Sequence, residues 1–166
     1  MQIETERKFL ISYPDTDILL SQKEVEIKEI VQTYLLSEKD VTDRVRKVIS
    51  NGVETYIRTQ KKRISHLSCF EDEKIITYDE YEKLLEKADR NLSVIIKTRY
   101  VFPYKEHIIE IDVYPFWDDR AILEIELKEE NEVFGIPEFI SVIKEVTDDK
   151  RYKNSRLARD IPNDVI

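Results

Sequence analysis

The chain opens on strict alternation. In QIETERKFLI, Ile3, Thr5, Arg7, Phe9 and Ile11 share one face of a strand over residues 2–11, and Glu4, Glu6 and Lys8 share the other. Pro14 and Asp15 end it. DTDILLSQKEVEIKEI (15–30) predicts a weak helix with acidic residues near its start. VQTYLL (31–36) and VTDRVRKVI (41–49) predict strands, and SNG is a turn that sends VETYIRTQKK (53–62) back as a hairpin. SCFEDEKII (68–76) predicts another strand. TYDEYEKLLEKAD (77–89) carries the clearest helix start: Thr77 with Glu80 fits a capping box, and Tyr81, Leu84, Leu85 and Ala88 repeat at helical spacing. SVIIKTRYVF and KEHIIEIDVY predict strands around a turn at Pro103, and AILEIELK (121–128) a last clear strand. After Pro137 the pattern is mixed, with FISVIKEVT and a basic KRYKNSRLAR.

About eight hairpin-connected strands with two or three helices imply an α+β fold, since closing an antiparallel sheet removes its exposed edges. The polar faces raise a further question. Like charges stand two residues apart at Glu4/Glu6, Arg44/Arg46, Glu71/Glu73, Lys97/Arg99, Glu110/Asp112 and Glu124/Glu126. Leu123, Ile125 and Leu127 oppose Glu124 and Glu126, and Ile109, Ile111 and Val113 oppose Glu110 and Asp112. An ordinary barrel puts the apolar faces inside, leaving the like charges to repel on the surface. An inverted barrel puts the charges around a water-filled tunnel and packs the apolar faces outward against helices. Periodicity leaves both open.

Composition narrows the classes. The 166 residues suggest one domain over 1–166. Two glycines cannot build a Gly-rich phosphate loop or a dinucleotide fingerprint. Cys69, the sole cysteine, excludes an intrachain disulfide and a thiolate cluster, and reads as a packing residue. The start lacks signal-peptide character and no apolar run approaches the ~20 residues of a membrane helix, so the expectation is a cytoplasmic protein without a membrane partner. A net charge of −8 argues against DNA, but a local basic pocket can still take an anion.

These residues, in this order, resemble the triphosphate tunnel metalloenzymes, the CYTH superfamily. The hallmark E-x-E-x-K matches Glu4, Glu6 and Lys8. R-x-R matches Arg44 and Arg46, and T-x-K matches Thr59 and Lys61. The acidic pair Glu71 and Glu73 follows, then K-x-R at Lys97 and Arg99, E-x-D at Glu110 and Asp112, and E-x-E at Glu124 and Glu126. The RYKN stretch ending at Asn154 is similar to small bacterial members. The match covers residues 3 to about 157. Where many members carry an arginine just ahead of the middle acidic pair, this chain has Ser68, Cys69 and Phe70; either Arg63 substitutes from further back or that contact is absent.

The resemblance implies a closed eight-stranded antiparallel tunnel that binds a triphosphate with divalent cations. It implies tripolyphosphate hydrolysis first, with adenylate cyclisation, thiamine triphosphate hydrolysis or silent polyphosphate or nucleotide binding as alternatives. Glu4, Glu6, Asp112, Glu124 and Glu126 are the expected ligands, and hard oxygen donors suit Mg²⁺ or Mn²⁺. Lys8, Arg44, Arg46, Lys61, Lys97, Arg99 and Lys153 are the expected substrate clamps. Lys8, Glu6 and Glu126 are the expected catalytic groups, although Lys8 could simply neutralise a carboxylate. Glu71, Glu73 and Glu110 are expected to support the arginines. His66 and His107 read as structural or exposed, and Tyr114, Phe116 and Trp117 as loop packing. The oligomeric state is left open, a homodimer included.

Overall fold

The computed structural model describes residues 2–65 and 67–166. His66 lies outside the described residues. The strands are β1 (Gln2–Ser12), β2 (Glu26–Tyr34), β3 (Val41–Ser50), β4 (Val53–Arg63), β5 (Ser68–Ile76), β6 (Ile95–Tyr104), β7 (His107–Val113), β8 (Arg120–Leu127) and β9 (Val142–Glu145). The helices are α1 (Thr16–Leu20), α2 (Tyr78–Leu85) and α3 (Asn154–Leu157), the last preceded by a 3-10 turn over Lys150–Tyr152. Strand order is β5-β4-β3-β2-β6-β7-β8-β1, and β1 also pairs with β5, which closes an antiparallel barrel.

β1 is the closing strand and does more than close. One edge pairs with β8 from Thr5 to Ser12. The other edge is shared: residues 2–5 pair with β5, and residues 9–11 pair with the short β9. Between them the edge is bridged irregularly: Glu6 N donates to Leu67 O at 3.4 Å, Lys8 N donates to Thr147 Oγ1 at 2.9 Å, and Lys8 O accepts from Val146 N at 2.8 Å. Regular strand pairing on this edge is therefore interrupted beside Glu6 and Lys8.

The barrel is inverted over most of its length. The outward faces of β1, β6, β7 and β8 form a core of Phe9, Ile11, Phe102, Ile109, Ile111, Leu123 and Ile125. Leu19 of α1 and Phe134, Ile136 and Ile140 of the loop after β8 cover it. Helices thus supply less of the outer cover than the sequence suggests. Only α2 lays a helical face on the sheet, through Tyr81, Leu84 and Leu85 against Val45 and Tyr56. Its capping box forms as read, with Thr77 Oγ1 accepting from Glu80 N at 3.1 Å and Glu80 returning to Thr77 N at 3.0 Å.

At one end the inward face turns apolar. Lys8 gives way to Leu10, Lys97 to Ile95, Asp112 to Tyr114 and Glu124 to Ile122, and these pack with Trp117, Tyr152 and Leu157. A plug built from the segment after β9 fills that end. The Tyr114, Phe116 and Trp117 rings belong to it.

Two local readings are corrected. The segment 15–30 is helical only over Thr16–Leu20; from Glu26 it is β2, because β3 and β6 pair along both its edges. The β6–β7 turn sits at Lys105 and Glu106, not at Pro103: Lys105 takes the left-handed conformation (φ 55°) and Tyr104 pairs with His107. Pro103 lies near the end of β6, where a missing N–H is tolerated. The SNG turn holds, with Asn51 and Gly52 both left-handed between the paired Ser50 and Val53.

Two cores on opposite faces of one strand make a prediction about parity. Ile122→Ala, inside the plug, and Leu123→Ala, outside the barrel, should each lower stability by about 2–4 kcal/mol in urea unfolding. A loss confined to one of them contradicts the two-core arrangement.

Candidate functional site

Because i and i+2 share a face, the barrel interior receives one charged pair from most strands. Register then sets who meets whom. Glu6 lies opposite Glu126 and Lys8 opposite Glu124 across β1 and β8. Glu110 lies opposite Glu124 across β7 and β8, and Arg99 opposite Asp112 across β6 and β7. Arg44 lies opposite Thr59, Thr59 opposite Glu73 and Lys61 opposite Glu71. The result is an acidic arc from β1, β8 and β7 facing a basic arc from β6, β3 and β4.

Some charges are already matched. Asp112 is 1% exposed and accepts from Lys97 Nζ at 2.9 Å and from Arg99 Nε and Nη2 at 2.7 and 2.9 Å. Arg99 also reaches Glu110 at 2.5 Å and Glu124 at 4.0 Å. Glu124 pairs with Lys8 Nζ at 3.3 Å, and Lys61 Nζ binds Glu4 at 2.6 Å. Arg46 pairs with Glu73 at 2.5 Å, and Thr59 Oγ1 touches both partners. Glu73 and Glu110 are therefore placed against arginines, and Glu71 lies beside Lys61.

Others are not matched. Glu6 and Glu126 face each other with no hydrogen bond or ion pair to either side chain among the described residues. Arg44 Nε and Arg46 Nε are buried and lack a partner among the described residues. Gln32 Oε1, buried on β2, also lacks one, while Gln32 Nε2 donates to Tyr34 Oη at 2.7 Å.

The acidities follow. Burial, with Glu124 and Glu4 nearby, pushes Glu6 up to about 8. Burial likewise raises Glu126, Glu110 and Glu71. Burial opposes ionisation of Glu124 and Asp112, yet Lys8, Arg99 and Lys97 hold both below the ordinary carboxylate range. Burial and the charges of Arg44 and Arg99 pull Arg46 down to about 10. Burial draws Lys97 down to about 7 against the pull of Asp112.

A cavity of about 360 Å³ opens from this interior. The buried Lys8 and the half-buried Glu6, Arg44 and Lys61 line it, together with the exposed Arg63, Lys150 and Arg156 and the half-buried Cys69 and Lys153. Lys153 thus stands at the mouth, brought there by a segment more than a hundred residues away from β1 in sequence. Cys69 corrects its reading as a packing residue: its Sγ lies 3.6 Å from Glu4 Oε2 and faces the cavity. Lys150, Arg156, Gln32 and Tyr34 escaped the sequence reading. The motif spacing marks inward strand positions, and these lie in the tail or on a strand mistaken in part for helix. His107 pairs with Glu132 at 2.7 Å on the outer side, as a structural residue does.

The donor set fits a hard divalent cation. Glu6 and the solvent-exposed Glu126 lie opposite each other in register without a bonded cation among the described residues, and carboxylate oxygens of this kind suit a hard cation. Among the described residues no three His, Cys, Asp or Glu side chains converge as a finished cluster. Glu4 and Glu124 are turned onto Lys61 and Lys8, and Asp112 onto Lys97 and Arg99.

No protein-family model matches the chain. A protein named inorganic triphosphatase from Acetivibrio thermocellus is 35% identical over 129 residues, covering 77% of this chain and 78% of that one. The crystal structure of the inorganic triphosphatase NE1496 is 28% identical, with a TM-score of 0.57 and coverage of 98% of both chains. The fold extends to a putative adenylyl cyclase from Hippeastrum described as having a dominant triphosphatase activity, 18% identical with a TM-score of 0.52 over 76% of this chain and 80% of that one.

Glu6 yields a pH prediction that needs no metal. Its folded pKa of about 8 exceeds the ordinary 4.5, so the folded chain holds a proton the unfolded chain releases. That contribution is full below the unfolded pKa and is lost as pH rises through the folded value. In EDTA, Glu6→Gln should match the native chain near pH 4, below the unfolded value, and exceed its stability by at least about 1 kcal/mol near pH 8.5. An equal difference at both pH values contradicts the assignment.

Proposed function

The chain belongs to the triphosphate tunnel (CYTH) family with the inorganic triphosphatases, and we propose that its substrate is inorganic tripolyphosphate, bound in the charged interior and hydrolysed with a divalent cation. The observation that carries this reading is the pair of unmet demands inside one barrel. Buried guanidinium nitrogens of Arg44 and Arg46 lack an acceptor, and Glu6 and Glu126 lack a cation. A polyanion with a bound metal answers both.

Arg44, Arg46 and Lys61 hold phosphate oxygens along the basic arc, Arg forking across two and Lys acting as a point charge. Lys153 holds the chain end nearest the cavity mouth. Arg99 and Lys97 share Asp112, so their charge acts from a fixed place, and Asp112 serves better as their anchor than as a metal ligand. Glu6 and Glu126 would hold the cation, and Glu4 and Glu124 would join them if phosphate took over Lys61 and Lys8. Mg²⁺ or Mn²⁺ there supplies Lewis-acid polarisation of a phosphoryl oxygen and a more acidic water. Lys8, 3.3 Å from Glu124, is placed to orient an oxygen at the centre of the acidic arc. The bond broken is a phosphoanhydride P–O, and the water oxygen ends on phosphorus, giving orthophosphate and pyrophosphate. Catalysis is then positioning and charge stabilisation.

Among the described residues Tyr34 is the one aromatic ring lining the cavity, and the plug takes up Tyr114, Phe116 and Trp117, which supports a substrate without a nucleoside. A cytoplasmic location fits the single thiol, Cys69, which a reducing compartment leaves unpaired. No described helix is long and apolar enough to cross a membrane.

With Mg²⁺ or Mn²⁺ the protein should release phosphate from tripolyphosphate, and chelation should stop it; cyclic AMP from ATP as the main product would make it a cyclase. Glu126→Gln should abolish turnover while circular dichroism stays native, and full activity would remove Glu126 from the metal site. Arg46→Ala should raise KM by about tenfold or more, the worth of a charge-assisted bond, and an unchanged KM would count against the clamp.

A further inference from the structure

Lys153 has little of its own to hold it. The 3-10 turn before it and α3 after it together span eight residues, Lys150–Leu157, and neither could fold alone. Its neighbours are nonetheless fixed. Tyr152 is fully buried in the plug, and Asn154 Oδ1 accepts from the buried Tyr114 Oη at 2.6 Å. The backbone carbonyl of Tyr152 lies 3.5 Å from Lys8 Nζ, so this segment also touches the charged interior.

What fixes Tyr152 and its neighbour from the far side is Asp164. Its carboxylate accepts from Tyr152 Oη at 2.6 Å, from Arg151 Nη1 and Nη2 at 2.9 and 3.0 Å, and from Lys144 Nζ of β9 at 2.8 Å. Arg151 is held from its other side by Asp149, at 3.0 Å to Nε and 2.7 Å to Nη2. A carboxylate that collects four hydrogen bonds from three side chains of β9 and the 3-10 turn ties the end of the chain across the segment that carries Lys153. Nothing in the motif series marks Asp164, and it lies outside the cavity lining.

We propose that Asp164 is a positioning residue for substrate binding, which fixes the Arg151–Tyr152 pair and thereby presents Lys153 to the anionic chain at the cavity mouth. The inference rests on the reading of Lys153 as a phosphate clamp. Asp164 itself touches neither substrate nor cation. Its loss weakens capture of the substrate and leaves the chemical step alone, because Glu6, Glu126 and Arg46 are positioned by the barrel.

The test is steady-state hydrolysis of tripolyphosphate by the full chain with Mg²⁺, as a double-mutant cycle of Asp164→Asn and Lys153→Ala. Asp164→Asn should raise KM by about fivefold and leave kcat within about twofold, the coupling expected of residues sharing one network. In the Lys153→Ala background Asp164→Asn should add nothing further. Arg151→Met opens the same clamp from an exposed side chain and should give the same split, should Asp164→Asn fold poorly. A loss of active protein alone would lower kcat at constant KM and overturn the proposal, as would equal effects of Asp164→Asn with and without Lys153. If Lys153→Ala raises KM and the Asp164 and Arg151 variants do not, the positioning fails and the clamp stands. If Lys153→Ala leaves KM unchanged, both fail.

Discussion

Asp112 between Lys97 and Arg99 is the interaction on which the interior depends. All but removed from water, none of the three could be ionised alone, since burying an unpaired charge costs several kcal/mol. One carboxylate shared by two cations leaves positive charge in excess, and Glu110 and Glu124 return part of the balance through Arg99. Glu124 in turn reaches Lys8 on β1, so one network links β6, β7, β8 and the closing strand. The inverted barrel is tenable because this side of it is neutralised from within.

The other side is not, and that asymmetry gives the fold its use. Arg44 and Arg46 repel each other; Arg46 holds the Thr59 hydroxyl and the Glu73 carboxylate, and Arg44 holds the Tyr34 hydroxyl, while one Nε of each stays without a partner among the described residues. Glu6 lies opposite the exposed Glu126 in register, with no bonded cation among the described residues. A polyanion and a cation together would answer the charges on this side.

Much of this was legible because a strand has a period of two. The alternations in QIETERKFLI, HIIEIDV and AILEIELK place Glu4 and Glu6, Glu110 and Asp112, and Glu124 and Glu126 each on one face of a strand before any pairing is known, and the family resemblance says which way those faces point. The Thr77 capping box and the Asn51–Gly52 hairpin are equally local. What escaped depends on distant partners. Glu26–Ile30 could be helix until β3 and β6 pair with it. The plug uses inward positions of the same parity as the charges, so Leu10, Ile122 and Tyr114 look like continuations of the tunnel wall. The cavity mouth is made by Lys150, Lys153 and Arg156, whose place follows from how the tail docks and from no spacing within it.

The departure from the family pattern at Ser68–Phe70 has a structural counterpart. Cys69 faces inward on β5, where many members present an arginine, and its cross-strand partner on β4 is Arg63. Arg63 shares the inward face of Lys61 and lines the same cavity. Arg63 thus brings a guanidinium to the same cavity lining from one strand over, across the 4.7–4.9 Å between neighbouring strands. The small thiol opposite leaves room for it and lies against Glu4. Exchanging a long cation for a small residue at one position, with a long cation directly across from it, keeps the charge of the cavity while moving its point of attachment.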